Sequence, residues 1–485
     1  MSELRIETDD DALAEMFDWA VRTARGFVVP DGARGPLDVS EADPPPHRRA
    51  VYRACYHAGY RHRSGYYLRD FVHQALGAHL LGLQTENRAM LDSFVRTATP
   101  EHDGWPVWAL NFDRVTPLSI DYRGPDRFVR ELPAAFELVE LLHTLFRWTG
   151  DRDLLGHREH WRRTLGAFVA ERDLVLPNGV AEAQGADIFD GAASYNERPG
   201  EHLLEAGDGF AAQYAALRHA AALEAACDPD ASEAARFAGQ ADALLAEFRD
   251  RWSVPAEPVA AATGLPALDG LVSAYSASGA QVTGWLREGT WFLPLKGLLT
   301  DGDPRCAAIL EAVDAASRHP VLAPANVEAL TYLPDVFLRH GHADRAAEWM
   351  QRLYARRDEP HEVPEQGANG AYPELSFTLV GQVVAGFLGL EPDAAAMHLT
   401  TRPSPPSSVG RLAAHGVPFG DGSIDVGWEG GGTHWVENHT SLTLVWHAAP
   451  RIDTTFRDPH LAGAATGRGV LIQPGQRREA GGTRG

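Results

Sequence analysis

Apolar residues recur at intervals of three and four over most of the first 390 positions, which is the period of a helix with one buried face. The range 11–26 is a clear case, because Leu13, Phe17 and Ala20 fall on one side of it. The same period predicts further helices over 65–83, 85–98, 124–150, 153–174, 209–227, 230–252, 303–319, 326–340, 343–357 and 375–390.

The pattern changes after Pro392, where short alternating runs are separated by Gly, Pro and Asp. It predicts strands at 397–401, 409–415, 423–428, 433–436 and 441–446. We therefore expect a helical unit over 1–395, a strand region packed on it over 396–450, and a flexible Gly- and Arg-rich tail over 451–485.

Short connections alternate with long polar ones along the helical part, as expected for paired antiparallel helices. Short turns on one side and long loops on the other are typical of an (α/α)6 toroid, a ring of six helix hairpins. The predicted fold class is therefore mainly α, with a small C-terminal antiparallel β-segment. In such a ring, loops that are distant in sequence meet at a single mouth.

The range 65–83 carries the first candidate site. Tyr66 and Tyr67 lead into Arg69 and Asp70, which stand at the N-terminal end of the predicted helix. A carboxylate is favoured there by the helix dipole and by the free backbone amides. The simpler interpretation is a surface helix with a capping Asp.

An aromatic and charged segment, 104–121, contains Trp105, Trp108 and Asp113. Trp rings stack on the C–H faces of sugars while carboxylates bond the hydroxyl groups, so such loops are typical of carbohydrate binding. Burial of the Trp side chains for packing is the alternative interpretation. Trp285 is a further predicted sugar contact.

The loop 179–209 is longer than a usual helix–helix connection and is rich in carboxylates, with Tyr195 close to Glu197. A carboxyl group held in a cleft can act as a general acid. A solvated acidic loop would have the same composition.

The segment 361–374 precedes a strongly apolar helix and holds Glu362, Glu365 and Glu374. Its Gly and Pro residues exclude a long helix. Carboxylates therefore stand again at the start of a buried helix, and all three remain candidates for a catalytic base.

The chain of 485 residues has a net charge of −22 and lacks the basic stripe that nucleic-acid binding needs. Three cysteines without metal-ligand spacing indicate free thiols in a reducing compartment, and the acidic N-terminus lacks an apolar secretion segment. No apolar run is long enough to cross a membrane. We expect a cytoplasmic protein without nucleic-acid or membrane partners, and a homodimer is the protein association to be tested.

Three stretches resemble the six-hairpin glycosidases, the clan of helical toroids that includes glucoamylase, trehalase, processing α-glucosidases and α-rhamnosidases. The sequence YYLRD at 66–70 resembles the aromatic–x–Arg-Asp segment near the start of these toroids. The helix over 375–390, with EPD at 391–393, resembles their last barrel helix and its exit. The sequence GSIDVGW at 422–428 resembles a strand that recurs in their C-terminal β-segment. The Trp-Glu pair that many members show before the last helix is missing here.

The resemblance implies a glycoside hydrolase with a carbohydrate substrate and two catalytic carboxyl groups, one protonated and one ionised. The predicted acid is Glu197, with Asp70 binding the sugar at the cleaved bond, and these roles could be exchanged. The predicted base is Glu365, followed by Glu374. Predicted sugar contacts are Arg69, Trp105, Trp108, Asp113, Tyr195, Trp285 and Glu374. Members of this clan mostly invert the anomeric configuration, and the mechanism requires no metal or cofactor.

Two rival functions stay open on the sequence. A sugar epimerase or polysaccharide lyase on a similar toroid would need a proton-abstracting side chain, for which His73, His79 and His361 are candidates. A carbohydrate-binding toroid without catalysis would need only aromatic and polar contacts.

Overall fold

The computed structural model describes residues 3–38, 49–183, 191–196, 202–228, 232–252, 271–450, 456–461 and 469–481. Helices make up most of its regular structure, and the β content is larger than the small C-terminal segment predicted from the sequence. Within these ranges, no helix combines the length and the apolarity that crossing a membrane would require.

Most helices lie close to the predicted ranges, but the helix at Glu288–Leu295 was not predicted, and the one predicted over 326–340 is divided in two. Three helices are continued by π-helical turns. The helices are α1 (Asp11–Arg25), α2 (Leu68–Leu80), α3 (Gln84–Thr97), α4 (Leu132–Thr149), α5 (Arg158–Arg163), α6 (Gly207–Cys227), α7 (Ser232–Glu247), α8 (Glu288–Leu295), α9 (Cys306–Arg318), α10 (Val327–Leu330), α11 (Leu333–Arg339), α12 (Ala343–Ala355) and α13 (Pro373–Gly381). The π-helical turns are Thr164–Phe168, Phe248–Trp252 and Gln382–Phe387.

Six helices contact one another in a closed order: α2 with α4, α4 with α6, α6 with α8, α8 with α11, α11 with the π-helical end of α13, and α13 with α2. We call these the central helices. Every residue of α8 and α13 is buried, and in α4 only Arg147 and Thr149 are not. The peripheral helices α1 and α12 bury a single stripe instead. The difference arises because a central helix has protein neighbours on all sides.

Glycine allows central helices to touch backbone to backbone. A Cβ atom on Gly77 of α2 would lie 1.8 Å from the carbonyl oxygen of Phe377 in α13. A Cβ atom on Gly207 of α6 would lie 1.9 Å from the carbonyl oxygen of Gly289 in α8. A larger residue at either position would therefore push two central helices apart.

We expect Gly77→Ala to lower the free energy of unfolding by about 3 kcal/mol, because the added methyl group overpacks the contact between α2 and α13. Urea unfolding followed by circular dichroism measures the change. The matched control is Gly239→Ala in α7, where nothing lies within 4 Å of the new methyl group. This control should gain about 0.5–1 kcal/mol from helix propensity. Equal stability of the two variants would show that the helix contact is looser than described.

The strands occur along the whole chain, and many are very short. They are β1 (Arg5–Thr8), β2 (Val28–Val29), β3 (Arg34–Pro36), β4 (Arg49–Val51), β5 (Cys55–Tyr56), β6 (Gly65–Tyr67), β7 (Ala109–Asn111), β8 (Tyr122–Gly124), β9 (Arg127–Phe128), β10 (Leu203–Ala206), β11 (Val272–Ser276), β12 (Gln281–Thr283), β13 (Leu390–Asp393), β14 (His398–Thr401), β15 (Arg411–Phe419), β16 (Gly422–Glu429), β17 (Thr433–Asn438), β18 (Leu444–Ala448), β19 (Val470–Ile472) and β20 (Arg477–Ala480). The strands predicted after Pro392 correspond to β14 through β18.

The later strands form two sheets, with the orders β1-β15-β16-β17-β20 and β13-β14-β18-β19. Strands β14 and β18 run parallel, so this region is not purely antiparallel as predicted. Strand β1, near the start of the chain, pairs with β15 across the predicted boundary between the helical and strand units.

The predicted flexible tail includes regular structure, since β19 pairs with β18 and β20 pairs with β17. The side chains of β20 are mostly exposed. Backbone hydrogen bonds at a sheet edge hold such a strand without any alternation of apolar residues, and the sequence pattern therefore missed it.

Candidate active site

Acidic side chains stand at the N-terminal ends of five central helices and of the short helix α10, close enough to interact electrostatically. Unpaired backbone amides and the helix dipole favour a carboxylate at each of these ends. We call this set the carboxylate ring: Asp70 in α2, Glu131 before α4, Asp208 in α6, Glu288 in α8, Glu328 in α10 and Glu374 in α13. All six residues are buried.

Arg69 forms an ion pair with Glu288 and interacts electrostatically with Glu374 and Glu131. Its guanidinium lies 2.9 Å from Oε1 of Glu288, and the two side chains are only 14% and 0% exposed. It also lies over the rings of Tyr195 and Tyr332, at 4.5 and 5.5 Å from their centroids. The amide of Asn196 donates to the second oxygen of Glu288. The cation therefore balances part of the negative charge that the helix ends gather.

Asp70 accepts a hydrogen bond from the hydroxyl of Tyr372. Burial, together with the neighbouring Glu374 carboxylate, raises the pKa of Asp70 to about 8. Its carboxyl group is therefore mostly protonated at neutral pH. This is the protonation state that a general acid requires.

Two further carboxyl groups of the ring share this property. Trp108 donates through Nε1 to Glu131 at 2.7 Å, and burial raises the pKa of Glu131 to about 8. Asp208 accepts from the backbone amide of Tyr195 at 2.8 Å, and burial raises its pKa to about 7. The site thus holds carboxyl groups that keep their protons near neutral pH.

Glu374, by contrast, is paired with a positively charged side chain. Its Oε1 lies 2.5 Å from Nδ1 of His73, whose Nε2 lies 3.1 Å from Asp335. Burial opposes the charged imidazole, but the hydrogen bonds to Asp335 and Glu374 raise the pKa of His73 to about 9. The His73 ring stacks on Tyr332 with centroids 3.7 Å apart. The imidazolium of His73 is therefore paired with the carboxyl group of Glu374, which is a neighbour of the protonated Asp70.

The segment 361–374 reaches the site through only some of its residues. The ring of His361 stacks on that of Tyr372, and its Nε2 lies 3.2 Å from Oε2 of Glu328. By contrast, Glu362 and Glu365 are exposed to solvent. Glu374 is buried because it lies in the first turn of α13, every residue of which is buried.

The structure brings together five of the predicted site residues: Arg69, Asp70, Trp108, Tyr195 and Glu374. The hydroxyl of Tyr195 donates to Glu137 at 2.5 Å, which fixes its ring beneath Arg69. Glu197 lies outside the described residues, directly after Asn196. Glu365, the predicted base, is exposed and is not a member of the carboxylate ring.

Three predicted sugar contacts take part in local structure. Trp105 packs edge-on against Phe168, with centroids 4.9 Å apart. Asp113 accepts from the backbone amide of Thr116 at 2.9 Å and so closes a turn. Trp285 is buried and donates to the carbonyl of Leu322. Each of these side chains has contacts that packing or turn formation explains.

Sequence reasoning placed Asp208 in the candidate loop 179–209 without giving it a role, and it did not assign Glu131, Glu288 or Glu328 to the site. A usable signal was present, because each acid lies beside or within the first turn of a helix. Many helices begin with an acid, however. These acids differ from ordinary capping residues because the tertiary structure brings their helix ends together.

Comparison with solved structures identifies proteins of similar fold. A GH78-family rhamnosidase of Bacillus sp. GL1 superposes with a TM-score of 0.59 at 14% identity over 93% of this chain. The α-L-rhamnosidase of Streptomyces avermitilis, solved with L-rhamnose, gives 0.55 at 13% identity over 92% of this chain. This chain's fold is similar to that of the rhamnosidases. The resemblance to the six-hairpin glycosidases predicted from the sequence is confirmed at the level of the fold.

The likeness covers only part of each of those proteins. This chain spans 43% of the Bacillus enzyme and 38% of the Streptomyces enzyme. The α-L-rhamnosidase of Dictyoglomus thermophilum superposes with a TM-score of 0.56 at 10% identity. The superposition covers 99% of this chain and 50% of that enzyme. No protein-family model matches the sequence, and no curated protein matches it.

Proposed function

We propose that this protein is a carbohydrate-active enzyme that hydrolyses a glycosidic bond at the carboxylate ring. The observation that carries the proposal is the contrast between two neighbouring carboxyl groups, Asp70 with a pKa raised to about 8 and Glu374 paired with the imidazolium of His73. Acid–base cleavage of an acetal needs one protonated and one ionised carboxyl group.

The proposed fold places these groups at one opening. We infer that the central helices form the inner ring of an (α/α)6 toroid and that the peripheral helices form its outer ring. The closed order of contacts among the central helices supports this inference. The carboxylate ring then lines the mouth, where a sugar would lie against the aromatic rings of Trp108 and Tyr195.

In the proposed reaction, the acid gives its proton to the leaving oxygen as the bond from that oxygen to the anomeric carbon breaks. The base takes a proton from water, whose oxygen joins the anomeric carbon. Asp70 has the protonation state for the acid, and Glu197, which follows Asn196 in the chain, is the alternative acid. Glu374, which is paired with the imidazolium of His73, is the proposed base. Inversion is the stereochemical outcome that the family resemblance implies.

The proton-abstraction alternative has weaker support. His73 is already held as an imidazolium at neutral pH, because hydrogen bonds to Asp335 and Glu374 outweigh the opposing effect of its burial on its pKa. Burial lowers the pKa of His79 to about 4, and this ring is hydrogen-bonded to the carbonyl of Pro418. Neither group combines a free nitrogen lone pair with a position at the mouth.

A panel of aryl glycosides that includes an α-L-rhamnoside tests the proposal. We expect turnover of at least one member, and a decrease of roughly 10²–10⁴-fold in Glu374→Gln. Glu197→Gln should show such a decrease only if Glu197, and not Asp70, is the acid. Glu365→Gln is the matched variant on the exposed part of the same segment, and it should retain turnover. A large loss in Glu365→Gln alone would move the base to that residue.

Other outcomes would replace the proposal. An unsaturated product that absorbs in the ultraviolet would indicate a lyase. Saturable sugar binding without turnover of any glycoside would indicate a binding protein. The anomer first released, read by NMR, distinguishes inversion from retention.

A further inference from the structure

Three potential metal ligands converge at the C-terminal end of α11, the end away from Tyr332. Asp301 lies in the turn between α8 and α9, Cys306 is the first residue of α9, and His340 follows the last residue of α11. Their donor atoms all lie within 4.8 Å of one another. The cysteine and the histidine are 34 residues apart, which is why no spacing motif revealed the cluster in the sequence.

The separations between the donors suit a shared cation better than direct hydrogen bonds. Nδ1 of His340 lies 3.7 Å from Sγ of Cys306 and 3.4 Å from Oδ1 of Asp301. A good hydrogen bond from a ring nitrogen to a carboxylate is shorter, about 2.7–2.9 Å. Ligands held tetrahedrally at zinc bond lengths of about 2.0–2.3 Å lie roughly 3.3–3.6 Å from one another.

The second nitrogen of His340 indicates which tautomer is present. Nε2 lies 3.0 Å from the carbonyl oxygen of Pro294, and a carbonyl can only accept, so Nε2 carries the hydrogen. The lone pair of Nδ1 then faces a carboxylate and a thiol. A cation between the three groups would remove the repulsion between the lone pair and the carboxylate. Histidine ligands of metals are commonly oriented in this way by a hydrogen bond from the other ring nitrogen.

The same geometry argues against a nucleophilic triad. A catalytic histidine meets its nucleophile and its orienting acid through opposite ring nitrogens. Here Cys306 and Asp301 both face Nδ1. Three groups that meet at one point are arranged for coordination.

The surroundings hold the donors in place, and among the described residues Asp301 is the donor that reaches solvent. The backbone amide of Phe456 donates to Oδ2 of Asp301, and the Phe456 ring lies 5.3 Å from that of His340. Cys306 and His340 are buried, whereas the side chain of Asp301 is 26% exposed. An ion would therefore enter from the side of Asp301.

We propose that Asp301, Cys306 and His340 bind a zinc ion, with water as the fourth ligand. Thiolate, imidazole and carboxylate in tetrahedral arrangement form a donor set suited to zinc. Binding releases the thiol proton of Cys306 to solvent, and no redox change takes place. The ion would tie the start of α9 to the end of α11 and to the turn after α8, so its role would be structural.

Full-length protein treated with a chelator, and then freed of it, is titrated with Zn²⁺ and separately with Co²⁺. We expect one equivalent to bind, a rise in Tm of roughly 3 °C or more at excess zinc, and a thiolate-to-cobalt charge-transfer band. Cys306→Ser should abolish that band and weaken zinc binding by roughly 100-fold or more. Cys227→Ser, a half-buried thiol elsewhere, is the matched control and should bind like the wild type.

A second variant covers the case in which Cys306→Ser does not fold. Asp301→Asn changes a partly exposed turn residue and should weaken zinc binding by roughly 10-fold or more while the cobalt–thiolate band remains. Absence of stoichiometric binding to the wild type would overturn the proposal. So would a cobalt spectrum that Cys306→Ser leaves unchanged.

Discussion

Replacing Asp70 by Asn lowers kcat by roughly 10²–10⁴-fold while the protein remains folded. The amide has the same shape and can still accept from Tyr372, but it cannot donate a proton to a leaving group. A pH profile of kcat on the best aryl glycoside measures the effect. The wild type should lose activity as the pH rises through about 8, where Asp70 ionises, and the variant should lack this limb.

The Asp70→Asn substitution should raise the stability of the protein although it lowers kcat. The pKa of Asp70 is raised from 3.8 to about 8 in the folded state, so the folded protein holds this proton more tightly than the unfolded chain does. The wild type therefore loses stability from Asp70 as the pH rises from about 4 through about 8. The neutral amide removes this loss, and Asp70→Asn should gain stability relative to the wild type between pH 5 and pH 8 in urea unfolding.

The control for this variant is Asp113→Asn, a carboxylate that closes a turn instead of lying at the carboxylate ring. It should keep kcat and lose about 1 kcal/mol of stability. Full activity of Asp70→Asn would transfer the acid role to another carboxyl group, with Glu197 as the next candidate.

Replacing Arg69 by Met should lower the free energy of unfolding by about 3–5 kcal/mol at pH 8. The change leaves Glu288 buried without its cationic partner and removes the positive charge between Tyr195 and Tyr332. Since the uncompensated carboxylates can be neutralised by protonation, the loss should be smaller at pH 5. Urea unfolding at the two pH values measures it, and turnover should decrease as well.

Two further variants make this expectation specific. The double variant Arg69→Met with Glu288→Gln should recover a large part of the stability, because the amide does not need a counter-charge. Arg356→Met breaks the exposed pair with Glu359, whose members are 38% and 55% exposed, and should cost less than about 1 kcal/mol. Similar losses in Arg69→Met and Arg356→Met would mean that Arg69 is not needed to balance buried charge.

Several features of the site could be read from the sequence because their cause is local. The helix dipole and the free amides of one helix explain why Asp70 and Glu374 stand where they do. The aromatic pair before Arg69 and the apolar helix after Glu374 marked these ends as candidate sites. The prediction of Trp105, Asp113 and Trp285 as sugar contacts used composition alone. Composition does not distinguish a side chain that binds a ligand from one that packs or closes a turn.

The amino-acid pattern alone was sufficient for most helices (though not for α8), for most C-terminal strands and for the Arg69-Asp70 start of α2, since these depend on neighbours within a few residues. The closed order of central helices, the four further acids of the carboxylate ring and the pairing of β1 and β20 with the C-terminal sheet were decided by the tertiary structure. These features depend on which surfaces meet. A periodic apolar stripe shows that a helix buries a face, but not whether other helices surround it.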